Sequence, residues 1–214
     1  MKILAIDTAL GACSAAILDG DTILAHRLTV MERGHAEALA PMVEKVMKEA
    51  DIPFASLERL GVTTGPGTFT GQRVGLAFMR GLRLALDKPL IGVTTLSAMA
   101  HQAMAETGCS TGVALHDARR GEIYLEVVGE QEIPPCVLPF DDAVALISKN
   151  SVPMVLTGTA AKWAHERMPD AELSNVVQPD ALWVARLALK MLPPDATPKP
   201  LYLRPPDAKL PVRK

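Results

Sequence analysis

The alternation of apolar and polar residues predicts three short strands at the start of the chain. The segment KILAIDTA has apolar, β-prone residues at positions 3, 4 and 6. The next segment, ACSAAILDGDTILAHRLTV, reads as two strands around a turn at Asp19-Gly20-Asp21, because a glycine after an aspartate suits a positive φ angle. We therefore expect an antiparallel three-stranded start.

Helical spacing of apolar residues follows these strands. HAEALAPMVEKVMKEA carries an apolar stripe at three- and four-residue spacing, and its proline lies near the first turns, where a missing N–H is best tolerated. The strands RLGVTTG and PLIGVT then alternate with the helices TGQRVGLAFMRGLRLAL and TLSAMAHQAMAE. The order β-β-β-α-β-α-β-α predicts an α/β lobe over residues 1–107.

A boundary is expected at residues 108–111, where the pattern starts again with strands. GVALHDARRGEIYLEVVG predicts two strands around a polar turn, and helices and one further strand follow in DDAVALISK, VPMVLTG and AAKWAHERM. PDALWVARLALKML predicts a longer amphipathic helix before a proline-rich, extended tail. We expect a second α/β lobe over residues 108–214.

Composition narrows the class of protein. Hydrophobic residues make up 49% and the net charge is −2, so a packed core is expected and no global basic field favours nucleic acid or membranes. No window of about 18 uncharged apolar residues predicts a membrane span. The three cysteines, Cys13, Cys109 and Cys136, form no metal or disulfide pattern, which favours a cytoplasmic protein with reduced thiols.

The glycine-rich stretch TTGPGTFTGQ lies between a predicted strand and a predicted helix. It matches neither GxxxxGK[ST] nor GxGxxG, the two phosphate-loop patterns. Two interpretations stay open: an anion site at the N-terminus of the helix, or a tight turn that needs glycine for its backbone alone.

The helix after this stretch holds the interior glycines Gly71, Gly75 and Gly81. Each interior glycine costs about 1 kcal/mol relative to alanine, which suggests close approach by another backbone. The helix is apolar over most of its circumference, so we expect it to lie centrally or under another subunit.

These segments, together with ERGHAEALAP, DARRGEIY and the terminal YLRPPDAK, resemble the TsaB family, also called YeaZ, in order along nearly the whole chain. The resemblance implies the two-lobe α/β fold of the actin-like, Hsp70-like and sugar-kinase-like class, which is ribonuclease H-like. It also implies a non-catalytic scaffold that pairs with TsaD, the enzyme that places threonylcarbamoyl on adenosine 37 of tRNAs reading ANN codons. TsaE, an ATPase, is the further partner implied, and tRNA is expected to be contacted only through the complex.

The resemblance also locates two ligand sites of related proteins. TsaD carries a His-x-x-x-His metal pair, and Thr95 and Met99 stand at those positions here. Neither side chain replaces imidazole, so no metal is expected. The nucleotide hairpin of the fold corresponds to DTALGAC, in which Ala9 stands where glycine would let the backbone approach a phosphate. Asp7 and Thr8 of this segment, with Gly65 and Gly67 of the glycine-rich stretch, are therefore only weak nucleotide-binding residues. We expect no tightly bound cofactor in the isolated chain, with ATP or ADP only at the joint surface with TsaD or TsaE.

The partner surface implied by the resemblance lies on the two helices at 35–50 and 70–86, which would pack with the equivalent pair of TsaD, or with a second copy in a homodimer. On this hypothesis Gly75→Leu leaves the chain folded but abolishes pairing. The residues assigned to the partner surface are His35, Leu39, Met42, Val43, Val46, Gly71, Val74, Gly75, Phe78, Met79 and Leu82.

An alternative function is a metallopeptidase-like or kinase-like enzyme of the same fold. The polar turn HDARRGEIY is interpreted as a structural hairpin or as a general-base cluster.

Overall fold

The computed structural model describes residues 1–149 and 152–204. The first part of the chain forms the following elements in order: β1 (Lys2–Asp7), β2 (Ala12–Asp19), β3 (Thr22–Val30), α1 (His35–Glu49), a short 3-10 helix (Phe54–Ser56), β4 (Arg59–Gly65), α2 (Phe69–Leu86), β5 (Leu90–Thr94) and α3 (Thr95–Thr107). The second part forms β6 (Thr111–Arg119), β7 (Glu122–Gly129), β8 (Ile133–Pro139), α4 (Phe140–Ile147), β9 (Met154–Thr157), α5 (Ala161–His165), β10 (Glu172–Leu173) and α6 (Ala181–Lys190).

The first sheet has the strand order β3-β2-β1-β4-β5. Strands β1, β2 and β3 pair antiparallel, and β1, β4 and β5 pair parallel. The predicted antiparallel start is confirmed, with Asp19 opposite Thr22 across a turn in which Gly20 has φ 58°. Parallel pairing of β4 and β5 follows from the helix between them, which returns the chain to the same end of the sheet.

Both faces of the first sheet are covered, because the apolar residues of β1 alternate between them. Leu4 and Ile6 lie in one cluster with the apolar stripes of α1 and α2. Ile3 and Ala5 lie in another cluster on the opposite face. A strand that is apolar on both faces is typical of a sheet with helices on both sides.

Helix α6 covers this opposite face of the first sheet. The expectation that residues 108–214 form one lobe is therefore wrong for α6, which packs on the first lobe. Ala181, Val184, Ala185 and Ala188 pack in the same cluster as Ile3 and other residues of the first sheet. A Cβ at Gly61 in β4 would lie 3.3 Å from Cβ of Ala188, so the helix sits close to the strand. The apolar stripe of α6 predicts a buried face, but it carries no information on which sheet it covers.

The second sheet has the order β10-β9-β6-β7-β8. Its hairpin β6–β7 agrees with the predicted pair of strands around a polar turn. Strands β8 and β10 were not predicted, and both lie at edges of the sheet. The segment of β8 is IPPCVLP, and its prolines are tolerated because an edge strand leaves some N–H positions unpaired. Helices α4 and α5 pack against the buried face of this sheet.

Helix α3 joins the two lobes. Its Leu96 and Ala100 pack with Ala114 of the second sheet, whereas its Ala98 packs with the first-sheet cluster that holds α6. The hydroxyl of Thr94, which caps α3 by accepting from the amide of Ser97 at 2.9 Å, also donates to the carboxylate of Glu126 on β7. Burial raises the pKa of Glu126 to about 7. The lobes therefore meet through a packed helix and a buried polar contact.

Among residues 1–149 and 152–204, no helix has both the length and the hydropathy needed to cross a bilayer.

Candidate functional site

The space beside the glycines of the loop between β4 and α2 is occupied by other atoms of the protein. A Cβ at Gly67 would lie 2.4 Å from the carbonyl oxygen of Ala9, and one at Gly65 would lie 2.7 Å from the side chain of the buried Gln72. Gly65 has φ 109°, which favours glycine, and its bond to Pro66 is cis. These contacts support the interpretation that glycine is needed here by the backbone.

Three amide groups of the loop and of the start of α2 also have hydrogen-bond partners within the chain. The amide of Thr68 donates to the carbonyl of Ala9 at 2.8 Å, and that of Gln72 donates to the carbonyl of Thr68 at 3.1 Å. Thr68 caps α2 with its hydroxyl, which accepts from the amide of Gly71 at 3.1 Å. A phosphate at a helix N-terminus binds to such amides, and these three already have oxygen partners in the chain.

Gly71 and Gly75 of α2 face the first strand of the protein, which corrects the expectation that they admit a partner's helix. A Cβ at Gly71 would lie 2.1 Å from the carbonyl oxygen of Thr8, and one at Gly75 would lie 2.6 Å from its hydroxyl oxygen. Thr8 donates that hydroxyl to the carbonyl of Gly71 at 2.7 Å. Gly75→Leu would therefore damage the fold itself and does not test pairing. Of the three interior glycines, Gly81 has open space around its Cβ position.

Asp7, at the end of β1, is fully buried. Its Oδ1 accepts hydrogen bonds from the hydroxyl of Thr63 at 2.6 Å and from the amide of Ala9 at 3.1 Å, so it bonds its own turn. Its Oδ2 is buried without a hydrogen-bond partner. Burial raises the pKa of Asp7 to about 7, although the two hydrogen bonds oppose this shift.

Of the four residues expected to contact a nucleotide, Asp7, Thr8 and Gly65 are buried, and only Gly67 is partly exposed. These four residues therefore form no open site in the isolated chain, and nucleotide binding at a joint surface stays a prediction. The reason is the close packing of the first turn of the chain, residues 7–9, on the glycine loop and on the start of α2.

The positions that correspond to the metal pair of TsaD are buried inside the protein. Thr95 and Met99 are both fully buried, and Met99 packs with Ala9, Leu10 and Val176. Among the described residues there is no group of three or more histidine, cysteine, aspartate or glutamate side chains that would hold a metal ion.

Several residues assigned to the partner surface lie inside the first lobe. Burial excludes their side chains from a surface contact, because the apolar stripes of α1 and α2 are the faces that pack on the first sheet. The buried residues are Leu39, Met42, Val43, Val46, Gly71, Gly75 and Met79. The others are partly buried: Val74, Phe78 and Leu82 border the same core, and His35 bonds the carbonyl of Leu10 through Nε2 at 2.9 Å.

The outward face of α2 presents a different set of residues. Its exposed positions from residue 77 to residue 85 are uncharged, and Leu84 among them is 77% exposed. Next to it, the start of α1 contributes two small exposed residues, with the charged Glu37 between them. The sequence pattern does not reveal this face, because small residues give no amphipathic signal. The outward residues of α2 are Thr70, Arg73, Ala77, Gly81, Leu84 and Ala85, and the adjacent small residues of α1 are Ala36 and Ala40.

A cleft of about 450 Å³ lies between the lobes. Its walls include Thr68 and Phe69 from the first lobe and His116, Asp117 and Arg119 from the second. Burial lowers the pKa of His116 to about 4, so its ring is neutral at neutral pH. Asp117 accepts from the amide of Arg119 at 2.7 Å and thereby closes its own turn. This geometry favours the structural-hairpin interpretation of HDARRGEIY.

The sequence model of the family described as "TsaD: tRNA N6-adenosine threonylcarbamoyltransferase" matches residues 23–164, more than half of the chain. The chain is 40% identical to the tRNA threonylcarbamoyladenosine biosynthesis protein TsaB of Escherichia coli (strain K12) over 58% of its length, and this match spans 53% of the E. coli protein. It is 28% identical to the TsaB protein of Haemophilus influenzae over 88% of its length and 85% of that protein.

Solved structures of similar proteins have the same fold as this chain. A crystal structure of a Pseudomonas aeruginosa protein, described as having similarity to peptidase YeaZ, superposes with a TM-score of 0.81 at 28% identity and covers 95% of this chain and 99% of that chain. Component A of (R)-2-hydroxyglutaryl-CoA dehydratase from Acidaminococcus fermentans shares the fold alone, with a TM-score of 0.54 at 14% identity over 89% of this chain and 98% of that chain. The predicted two-lobe, actin-like fold class is confirmed. The chain belongs to the family covered by the TsaD model and, within it, to the TsaB (YeaZ) proteins.

Proposed function

We propose that this protein acts in threonylcarbamoyladenosine biosynthesis on tRNA as a non-catalytic subunit that pairs with and activates TsaD. The names of its TsaB relatives and the match to the TsaD family support the pathway. The pairing with TsaD, a partnership with TsaE and a homodimer of the free chain are parts of this proposal. Any contact with ATP or ADP is assigned to the joint surface.

In this proposal the docking surface for TsaD is the outward face of α2. Leu84 is 77% exposed, and Ala77, Gly81 and Ala85 around it are exposed and small. An exposed, uncharged patch of this kind, bordered by charged residues such as Arg73, is typical of a protein contact. Small side chains let the axis of a second helix approach closely, and burial of the exposed Leu84 side chain would favour association.

The test is the affinity of the purified chain for TsaD from the same organism, measured by calorimetry with and without ATP. Leu84→Glu places a charge in the centre of the contact, and we expect the dissociation constant to rise about 30-fold or more. Val177→Glu is the matched control, because Val177 is 43% exposed and lies outside α1 and α2. Circular dichroism verifies that both variants are folded.

Three outcomes separate the parts of the proposal. Loss of affinity with Leu84→Glu but not with Val177→Glu supports the surface. Wild-type affinity of Leu84→Glu would exclude α2 as the contact. In a reconstituted modification assay, threonylcarbamoyl transfer by TsaD that is unaffected by omitting this chain would exclude the activating role.

A further inference from the structure

The segment after α6 runs from the first lobe to the second lobe. It starts where the guanidinium of Arg59 donates to the carbonyls of Ala188 and Met191, at 2.6 and 2.7 Å. It then passes β5, where a Cβ at Gly92 would lie 2.9 Å from Pro198. The path of the tail is therefore fixed by contacts from its beginning.

Residues 198–202 of this segment hold onto β4 and α2. The amide of Leu201 donates to the carbonyl of Thr64 at 2.8 Å, and Arg80 donates to the carbonyl of Pro198 at 2.5 Å. The ring of Tyr202 stacks on Phe69 with centroids 6.0 Å apart. Arg73 connects the two rings, since its Nε donates to the hydroxyl of Tyr202 at 2.9 Å and its guanidinium lies 3.5 Å from the centre of the Phe69 ring.

The next contact crosses to the second lobe. Arg204 forms an ion pair with Glu122 at the start of β7 and lies 3.4 Å from the carbonyl of Arg119. Phe69 and Arg119, which the tail contacts on its two sides, both line the cleft between the lobes. The tail therefore lies at the mouth of that cleft. Of the basic residues of the tail, Lys209, Arg213 and Lys214 lie outside the described residues.

We propose that residues 198–204 form a strap that ties α2 to the β6–β7 hairpin and sets the opening of the cleft between the lobes. Two-lobe proteins open and close by rotation about the segments that connect their lobes. Here the chain passes between the lobes after α3 and again before α6, and the strap adds a third, non-covalent connection. Its release would free the hairpin to move away from the loop that precedes α2.

The test measures the distance between the lobes by pulsed electron paramagnetic resonance. Spin labels are attached through Thr70→Cys on α2 and Lys162→Cys on α5, which are both exposed, in a background with Cys109→Ser and Cys136→Ser. The double variant Tyr202→Ala/Arg204→Ala removes the stack, the hydrogen bond and the ion pair. We expect its distance distribution to broaden and shift to longer distances.

Hydrogen exchange gives a second readout on the same variants. Amides of residues 65–70 and 116–122 should exchange at least about tenfold faster when the strap is released, because they border the opened cleft. Arg167→Ala is the control, since its ion pair with Asp141 lies within the second lobe. The conservative pair Tyr202→Phe/Arg204→Lys should restore the wild-type distribution. An unchanged distance distribution in the double alanine variant would overturn the proposal, whatever its exchange rates.

Discussion

Asp7 stabilises a turn of the fold, but the free-energy cost of burying its carboxyl group depends on pH. Its carboxyl organises the turn at the end of β1 through two hydrogen bonds to Oδ1, and it is fully buried with Oδ2 unpartnered. Burial of the charged form is unfavourable, which raises its pKa to about 7. The same reasoning applies to Glu126 at the contact between the lobes.

The pH dependence of stability follows from this residue. The unfolded chain loses the proton of Asp7 near pH 4 and the folded chain retains it to about pH 7, so Asp7 makes the free energy of unfolding fall as the pH rises through this window. Asp7→Asn keeps an oxygen for both hydrogen bonds and removes the titration. We expect the variant's free energy of unfolding, from urea denaturation between about pH 4 and 7, to fall less steeply than that of wild type.

The control is Asp21→Asn at an exposed position, which should follow the wild-type profile. Glu126 acts in the same direction as Asp7, and the lowered pKa of His116 acts in the opposite direction. Both groups are present in all three proteins, so the difference between profiles isolates Asp7. Parallel profiles for Asp7→Asn and wild type would contradict the assigned burial cost.

Helix α2 shows what an element's sequence can and cannot reveal. Its bounds, its many apolar positions and its interior glycines were all evident from periodicity and composition. Which side faces the core was not, because a stripe that packs on the chain's own sheet and one that packs on a partner have the same pattern. Met79, which the sequence hypothesis places on a partner surface, is therefore found fully buried, whereas Leu84, which that hypothesis does not include, is exposed.

Two glycines of α2 provide a matched pair for testing this packing. Gly71→Ala should lower the free energy of unfolding by about 2–3 kcal/mol, because its Cβ would overlap the Thr8 carbonyl oxygen at 2.1 Å. Gly81→Ala should raise it by about 1 kcal/mol, since that position is open and alanine favours a helix. Urea denaturation at one pH measures both. Equal effects of the two substitutions would show that α2 does not pack on residues 7–9 as described.

At the scale of the whole molecule, the order of elements along the chain differs from their order in space. The two-lobe class and most strands were predictable, whereas the position of α6 on the first sheet was not, because the pattern of Val184 and Ala188 specifies only that one face is buried. The tail has no apolar periodicity, so the contacts of Tyr202 and Arg204 could not be predicted from the pattern, although YLRPPDAK contributes to the family resemblance. Both features come from long-range packing.

This arrangement predicts that the two sheets unfold together. Trp163 lies on α5 beside the second sheet, and Trp183 lies on α6 beside the first. Trp183→Phe and Trp163→Phe therefore leave single fluorescent reporters of the two parts. We expect coincident urea transitions from both, because α3 and α6 bind the lobes into one cooperative unit. Two separated midpoints, after correction for the stability of each variant measured by circular dichroism, would contradict this.

The late position of α6 also has a consequence for synthesis on the ribosome. The strands of the first sheet are complete once residue 94 has been translated, but the helix that covers the face of Ile3 and Ala5 begins only at Ala181. At ordinary elongation rates this interval is on the order of ten seconds. Throughout it, the part of this face that α6 covers is exposed in the nascent chain, and apolar surface of this kind is what chaperones bind. Maturation of the N-terminal half therefore waits for α6 to leave the ribosome.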